Sequence, residues 1–232
     1  MSKVQPDNYQ RNISVYVPLM EFASDVVQDM TITSLGAPAA LDADGIMDGI
    51  AIGTTARAYT SANFGTLFDG SSTSLTTTSG MIDAKFGRGL TCTGNASTDQ
   101  VVTITGRDYL GQLMVENFTL SGTGAQAGKK AFKYVDKVDV TVGTGGSTLD
   151  VGWSDVLGVP YKAQILLSDT EDNVAAAGAL TAGIATDPQT ATTGDPRGTF
   201  APASACDGSI VYELRYVCDT DNLHGVSHYD GS

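Results

Sequence analysis

The sequence predicts a mainly-β fold, a β-sandwich or a related barrel with an extended N-terminal arm and long surface loops. The first observation is a set of short stretches rich in β-branched residues and bounded by turn residues. The second is composition, because 27 glycines in 232 residues and many Ser, Thr and Asp suit strands joined by turns. The third is that no helix-period stretch is long or clean enough to indicate an α/β fold.

The clearest strand is AFKYVDKVDVTVG, residues 131–143. Strict alternation predicts one apolar face made of Phe132, Tyr134, Val138, Val140 and Val142 and an opposite face made of Lys133, Lys137, Asp139 and Thr141. Asp136 interrupts the apolar face and predicts a bulge or an edge.

Other strands are predicted in chain order by the same reasoning. They are a strand ending in a turn within 23–36, a short helix or loop followed by a buried strand within 37–60, strands at 100–108 and 113–122, and a strand, turn and strand within 148–168. Residues 61–80 are interpreted as loop and 169–205 as a long surface excursion. In the last strand, 209–218, Ile210, Tyr212, Leu214 and Tyr216 face one way, and Glu213 and Arg215 face the other.

We expect the chain to be organised as an extended arm at 1–30 followed by a β-sandwich-type domain at 31–232, with a possible sub-boundary near 85–95. The length allows one large β-domain or two small ones.

Charge and composition exclude several function classes. The net charge is −13 and no basic patch is present, so we expect no nucleic-acid partner. No apolar run reaches the length of a membrane helix and no signal peptide is visible, so we expect no membrane partner. Three widely spaced cysteines predict no disulfide framework and indicate synthesis in a reducing cytosol.

Residues 121–133, SGTGAQAGKKAFK, invite comparison with phosphate-binding loops. In the P-loop pattern, Thr123 would replace the first glycine and Lys130 the Ser or Thr that ligates magnesium. The dinucleotide pattern fails at Ala127. The stretch is therefore interpreted as a surface turn between two strands.

Candidate metal and catalytic motifs are incomplete. His224 and His228 have zinc-like spacing, but polar flanks and an intervening glycine favour a solvated tail. DADGIMD (42–48) departs from a calcium loop because its glycine falls two positions early. GWSDV (152–156) lacks the second glycine of a nucleophile elbow. We therefore predict no catalytic residue, no metal site, no cofactor and no enzymatic activity.

Several segments resemble structural proteins of tailed-bacteriophage virions. They are VTITGRDYLGQLMVENFTLSG (102–122), GKKAFKYVDKVDVTVG (128–143), VGWSDVLGVPYKA (151–163), GDPRGTFAPASACDGS (194–209) and ALDADGIMDGIAI (40–52). The resemblance implies a decoration, or cement, protein on the outer surface of the capsid. Its expected partners are the phage major capsid protein and copies of itself, as a dimer or trimer. The chain would be made in the cytoplasm of the bacterial host.

Within that interpretation Tyr9, Tyr16 and Phe22 of the arm are the predicted contacts with the capsid or a neighbouring subunit. Two alternatives stay open. One is a tail tube, tail-fibre or head-fibre component of the virion. The other is a carbohydrate-binding or hydrolytic β-domain, which needs an exposed aromatic platform; the sole tryptophan, Trp153, is instead predicted to anchor the core.

Overall fold

The fold is mainly β, as the sequence predicts. The structure, a computed structural model, describes residues 30–52, 55–60, 64, 82–94, 96–141, 147–220 and 222–225, and for 96–99 the backbone only. These residues form fourteen strands, and no helix occurs among them. All strand pairs between them are antiparallel, and they build three sheets.

Sheet I has four strands in the order β1-β14-β10-β11. Their bounds are β1 Met30–Gly36, β14 Tyr212–Cys218, β10 Ala163–Glu171 and β11 Val174–Ala175. Alternation along β14 places Tyr212, Leu214 and Tyr216 inside with no exposed surface, while Arg215 points outward. One face of sheet I therefore packs on a core and the other faces solvent.

Sheet II is built around the long strand β9, Ser147–Gly158. Its order is β12-β13-β9-β4-β7, and β2 also pairs with β9. The other bounds are β2 Asp42–Ile52, β4 Arg88–Gly94, β7 Gln126–Phe132, β12 Ala179–Ala182 and β13 Gly198–Ala201. The first part of β9 pairs with β2, and its last two residues pair with β13.

Sheet III has the order β3-β8-β5-β6. Its strands are β3 Arg57–Thr60, β8 Tyr134–Val140, β5 Ala96–Arg107 and β6 Leu113–Gly122. Beyond β6, the loop 183–197 closes the edge: the N–H groups of Val115 and Asn117 donate to the carbonyl oxygens of Pro188 and Ala191 at 3.1 and 2.9 Å. Covering an edge in this way prevents unwanted strand pairing.

Two buried clusters hold the sheets together. The larger lies between sheets II and III and contains Leu90, Ile104, Val138, Val151 and Trp153. The smaller packs the inner face of sheet I on the end of β9 and on β13, through Leu157, Phe200, Tyr212, Leu214 and Tyr216. Strand β9 contributes to both clusters, so it connects the two halves of the fold.

The predicted strand at 131–143 is divided in two. Lys133 separates β7 from β8, and the register between β5 and β8 shifts at Asp136, so the predicted bulge is present. Because of that extra residue the core side chain is Val135, while Tyr134 is only partly buried. The prediction that Tyr134 shares a face with Val138 is therefore wrong.

Two other segments differ from expectation. Within 37–60 the choice left open between helix and loop is resolved, because residues 37–41 have no regular structure and lead into β2. Within 169–205 the predicted surface excursion includes β11, β12 and β13, and Arg197 and Phe200 are almost fully buried.

The sub-boundary predicted near 85–95 falls on β4. Residues 1–29 of the predicted arm lie outside the described residues, and the division into arm and domain stays a prediction.

Candidate interaction surfaces

The predicted contact residues Tyr9, Tyr16 and Phe22 lie outside the described residues. Their role therefore remains a prediction from sequence.

Trp153 is buried, with 7% of its surface exposed. Its Nε1–H donates to the carbonyl oxygen of Ala40 at 3.2 Å, and its ring packs closely over Gly45. The ring thus has its polar atom satisfied and its faces covered, which makes it a core anchor. An aromatic platform for a sugar cannot be built on Trp153.

The 121–133 segment is a β-hairpin. Residues 123–125 form the turn between β6 and β7, and Lys129 and Lys130 belong to strand β7. Lys129 is exposed, whereas Lys130 has no exposed surface. The interpretation of the whole stretch as a surface turn is corrected here: the turn is three residues long, and the second lysine lies in the interior.

The ammonium group of Lys130 is enclosed by backbone carbonyl groups. Its Nζ donates to the oxygens of Val115 at 2.7 Å, Pro188 at 2.6 Å and Thr190 at 2.8 Å. Three donors therefore meet three acceptors, which satisfies the group completely. Burial lowers the pKa of Lys130 below its ordinary value, and nearby carboxylates oppose that shift. Lys130 fastens loop 183–197 to the hairpin.

Two buried carboxyl groups flank Lys130. Glu116 accepts a hydrogen bond from the backbone N–H of Lys129, and its second oxygen, Oε2, has no partner among the described residues. Burial raises the pKa of Glu116 to about 7. Asp195 accepts from the backbone N–H groups of Ala131, Arg197 and Gly198, and burial raises its pKa as well.

Other buried cations hold loops in the same manner. The Lys133 Nζ donates to the carbonyl oxygens of Ile82 at 2.7 Å and Ala84 at 2.8 Å. The Arg88 guanidinium donates to the carbonyl oxygens of Ser154 and Ala39, both at 2.7 Å. It also pairs with the carboxylates of Asp83 and Asp155.

Arg197 forms the most enclosed ion pair of the described residues. It pairs with Asp108, and both side chains have at most 1% of their surface exposed. The second oxygen of Asp108 accepts from the N–H groups of Leu110 and Gln112, and the guanidinium lies 4.9 Å from the centre of the Tyr109 ring. Sequence reasoning assigned none of these cations to the interior, because a lysine or arginine in a strand is normally solvated.

The histidine and aspartate motifs do not combine into a metal site in the described residues. No group of three or more His, Cys, Asp or Glu side chains there has a geometry that fits a metal ion. His224 is exposed with its ring 5.9 Å from that of Tyr161, and His228 lies outside the described residues. Residues 42–48 belong to strand β2, where Asp42 accepts from the N–H of Asp44.

An open groove of about 540 Å³ lies between residues 35–39, 83–85 and 207–208. Its two carboxylates already bind the protein backbone. Asp83 accepts from the N–H of Ala39 at 2.8 Å, and Asp207 accepts from those of Ser209 and Ile210 at 2.8 and 3.0 Å. Asp207 therefore stabilises a local turn, and Asp83 connects the groove wall to residues 37–41.

The outer face of sheet I carries a group of exposed large hydrophobic side chains. Four of the seven such side chains among the described residues lie on this face or directly beside it: Ile32, Ile165, Leu167 and Val211. The other three, Leu41, Leu110 and Val174, lie elsewhere. A concentration of exposed apolar side chains on one face marks an interaction surface.

No protein-family model, no curated protein and no solved structure matches the chain. The described residues contain no helix long and apolar enough to cross a membrane.

Proposed function

We propose that this chain is a structural component of a tailed-phage virion, and specifically a decoration protein that binds the expanded head and stabilises it. The proposal starts from the resemblance of residues 102–122, 128–143, 151–163 and 194–209 to virion structural proteins. In this function the partner is the lattice of the major capsid protein, and no reaction is catalysed.

The observation that carries the proposal is the use of buried charge. Buried ionisable groups with shifted pKa values commonly mark catalytic clefts. Here the buried cations Arg88, Lys130, Lys133 and Arg197 each bind at least one backbone carbonyl group of a loop, and the buried Lys162 pairs with Asp219. None of the five lines the open groove. Buried cations in these positions hold long loops against the sheets. Such an arrangement suits a structural protein that must resist deformation.

The burial of Trp153 weighs against the carbohydrate-binding alternative, since the sole tryptophan is unavailable for stacking on a sugar. For the decoration function, repeated weak contacts are sufficient, because every copy on a symmetric shell binds together with its neighbours. The proposed shell contacts are the arm aromatics Tyr9, Tyr16 and Phe22.

The test is co-sedimentation of the purified chain with heads of its own phage, isolated before and after shell expansion. We expect binding to expanded heads and a higher melting temperature of the decorated shell. The triple variant Tyr9→Ala, Tyr16→Ala, Phe22→Ala is expected to bind at least about tenfold more weakly, because aromatic anchors supply much of the energy of an interface.

The matched control is Gln5→Ala, Asn8→Ala, Gln10→Ala, which alters as many arm side chains without removing an aromatic ring. Failure to bind either form of the head, together with self-assembly into rings or tubes, would assign the chain to the tail. If the aromatic variant binds as tightly as the natural chain, these three arm side chains do not contribute to the contact with the shell.

A further inference from the structure

The solvent-facing surface of sheet I is arranged in cross-strand rows. Met30, Val217 and Ile165 form one row, Ile32, Arg215 and Ser168 the next, and Ser34, Glu213 and Thr170 the third. Leu167 bulges from β10 between the first row and the second, where the register shifts. We call these residues, with Val211, the sheet I face.

The exposure of this face is unusual for a β-sheet surface in water. Ile32 is 57% exposed, Ile165 59% and Leu167 50%. Leaving such side chains in water forgoes the free energy that their burial would release, about 25 cal/mol for each Å² of apolar surface. The face is thus well suited to be covered by another surface.

The charges on the face are self-complementary. The outward positions of β14 and the residue before it are Val211, Glu213, Arg215 and Val217, so the order is apolar, acidic, basic, apolar. Neither Glu213 nor Arg215 forms an ion pair with any described residue. The order is symmetric about Leu214: when the strand is reversed about that residue, Arg215 takes the position of Glu213, and Val217 takes the position of Val211.

We propose that the sheet I face is the contact between two copies of this chain. The two copies are related by a two-fold axis that lies in the plane of the contact and crosses β14 at Leu214. Arg215 of each copy then faces Glu213 of the partner subunit, and Val217 faces Val211 of the partner subunit. Such an isologous contact repeats each interaction twice and closes at two copies.

Charge complementarity favours a second copy over another partner. A chain with a net charge of −13 repels its own copies at long range, and opposite charges that face each other in the contact offset that repulsion locally. The two-fold arrangement gives two Arg–Glu pairs flanked by the apolar rows. Face-to-face packing of two β-sheets about 10 Å apart is a common arrangement that buries such rows.

The dimer does not depend on the decoration function, but it has a consequence for it. Met30 is the first residue of β1 and belongs to the row of Val217, one row further from the axis than that of Arg215. The two-fold axis places the two Met30 residues at opposite ends of the contact, and binding through both arms would raise the apparent affinity for a repeating lattice.

The test measures the mass of the full-length chain in solution by sedimentation equilibrium over a range of concentrations, without any phage head. We expect a dimer for the natural chain. Arg215→Glu and Glu213→Arg are each expected to raise the dimer dissociation constant at least about tenfold, because each places two pairs of like charges in the contact. Both positions face solvent, so folding is retained, which circular dichroism checks.

The decisive experiment mixes the two variants in equal amounts. Arg215→Glu carries two acidic residues and Glu213→Arg two basic ones, so only the mixed dimer restores both ion pairs. We expect the mixture to dimerise with an affinity near that of the natural chain. Interactions within one chain cannot produce this rescue.

Two further variants provide a matched comparison. Leu167→Lys, on the face, is expected to weaken the dimer, and Leu110→Lys, an exposed leucine away from it, is expected to leave it unchanged. Three outcomes would each overturn the proposal. The natural chain could stay monomeric, the single variants could dimerise normally, or the mixture could fail to restore dimerisation. A monomer that binds phage heads through the sheet I face would assign that face to the shell instead.

Discussion

Lys130 shows how a single side chain can decide the position of a loop. Its ammonium group reaches carbonyl oxygens in β6 and at two positions of loop 183–197, so hairpin and loop share one hydrogen-bonding centre. A buried cation is costly to desolvate, and it is retained where several acceptors surround it. The neighbouring Lys129, one residue away on the opposite face of the strand, is exposed.

Replacement of Lys130 by methionine is expected to lower the free energy of unfolding by about 2–4 kcal/mol, because three buried carbonyl groups lose their donor. Urea unfolding followed by circular dichroism measures the change. Lys129→Met is the control and is expected to change stability by less than about 0.5 kcal/mol. Equal stability of the two variants would show that the three carbonyl contacts contribute nothing net.

Glu116 predicts a dependence of stability on pH. Its folded-state pKa of about 7 lies above the ordinary value of 4.5, so the folded protein holds a proton that the unfolded chain releases. Stability contributed by this group is therefore full below pH 4.5 and is lost as pH rises towards 7, by an amount on the order of 3 kcal/mol. The facing charges are Lys130, which favours the carboxylate, and Asp195, which opposes it.

Glu116→Gln is expected to reduce this loss of stability between pH 4.5 and 7, since the amide does not ionise. Unfolding free energies measured at one protein concentration across that range test it. Glu171→Gln is the control, because the pKa of Glu171 lies below its ordinary value and its removal leaves the Glu116 contribution in place. A Glu116→Gln profile parallel to that of the natural chain would contradict the prediction.

At the scale of elements, strand β2 is irregular because it crosses β9 at very short range. The register between β2 and β9 shifts between Asp42 and Met47, and the bulged residues lie directly over Gly152. A Cβ atom at position 152 would collide with the backbone of Asp42 and Ala43. Glycine at 152 is therefore required by the close approach of two backbones.

We expect Gly152→Ala to destabilise the protein by about 2–3 kcal/mol, because backbone atoms of β2 must move to admit the methyl group. Thermal or urea unfolding provides the measurement. Gly124→Ala, in the turn between β6 and β7, is the matched control, since nothing lies within 4 Å of its Cβ position. A Gly152→Ala protein as stable as the control would mean that β2 is free to shift.

At the scale of the whole molecule, β9 joins two cores that would otherwise be separate. Trp153 belongs to the larger cluster and Leu157, four residues later, to the smaller. Because one continuous strand contributes to both, we expect the described part of the chain to unfold as one cooperative unit.

This cooperativity is tested with Phe200→Ala, which removes a fully buried ring from the smaller cluster. The expected loss is about 3–5 kcal/mol. Trp153 fluorescence, which reports on the other cluster, and circular dichroism should shift together to lower urea concentration. A tryptophan transition that stays in place while circular dichroism becomes biphasic would show that the two halves unfold independently.

Local pattern determined much of the secondary structure. The strand predicted at 113–122, the alternation over 212–218 of the strand predicted at 209–218, and the break at Asp136 are present in the sheets. Side chains of a strand point to opposite faces regardless of its partners. The burial of Trp153 also follows from its large apolar surface. The virion function, the arm contacts and the localisation are proposals that await the experiments above.

Only the tertiary structure decided which charged residues lie inside and which apolar residues lie outside. Lys130 is buried because carbonyl groups from residues 115, 188 and 190 converge on it, and no local pattern contains that convergence. Ile32, Arg215 and Ile165 lie on one face because β1, β10 and β14 become neighbours only after the chain has folded. The sequence by itself determined the strands with clear alternation, through the two-residue period of the backbone, but not the short strands β11, β12 and β13. The pairing of distant strands determined the sites of the buried cations and the sheet I face, because those depend on contacts between residues far apart in the chain.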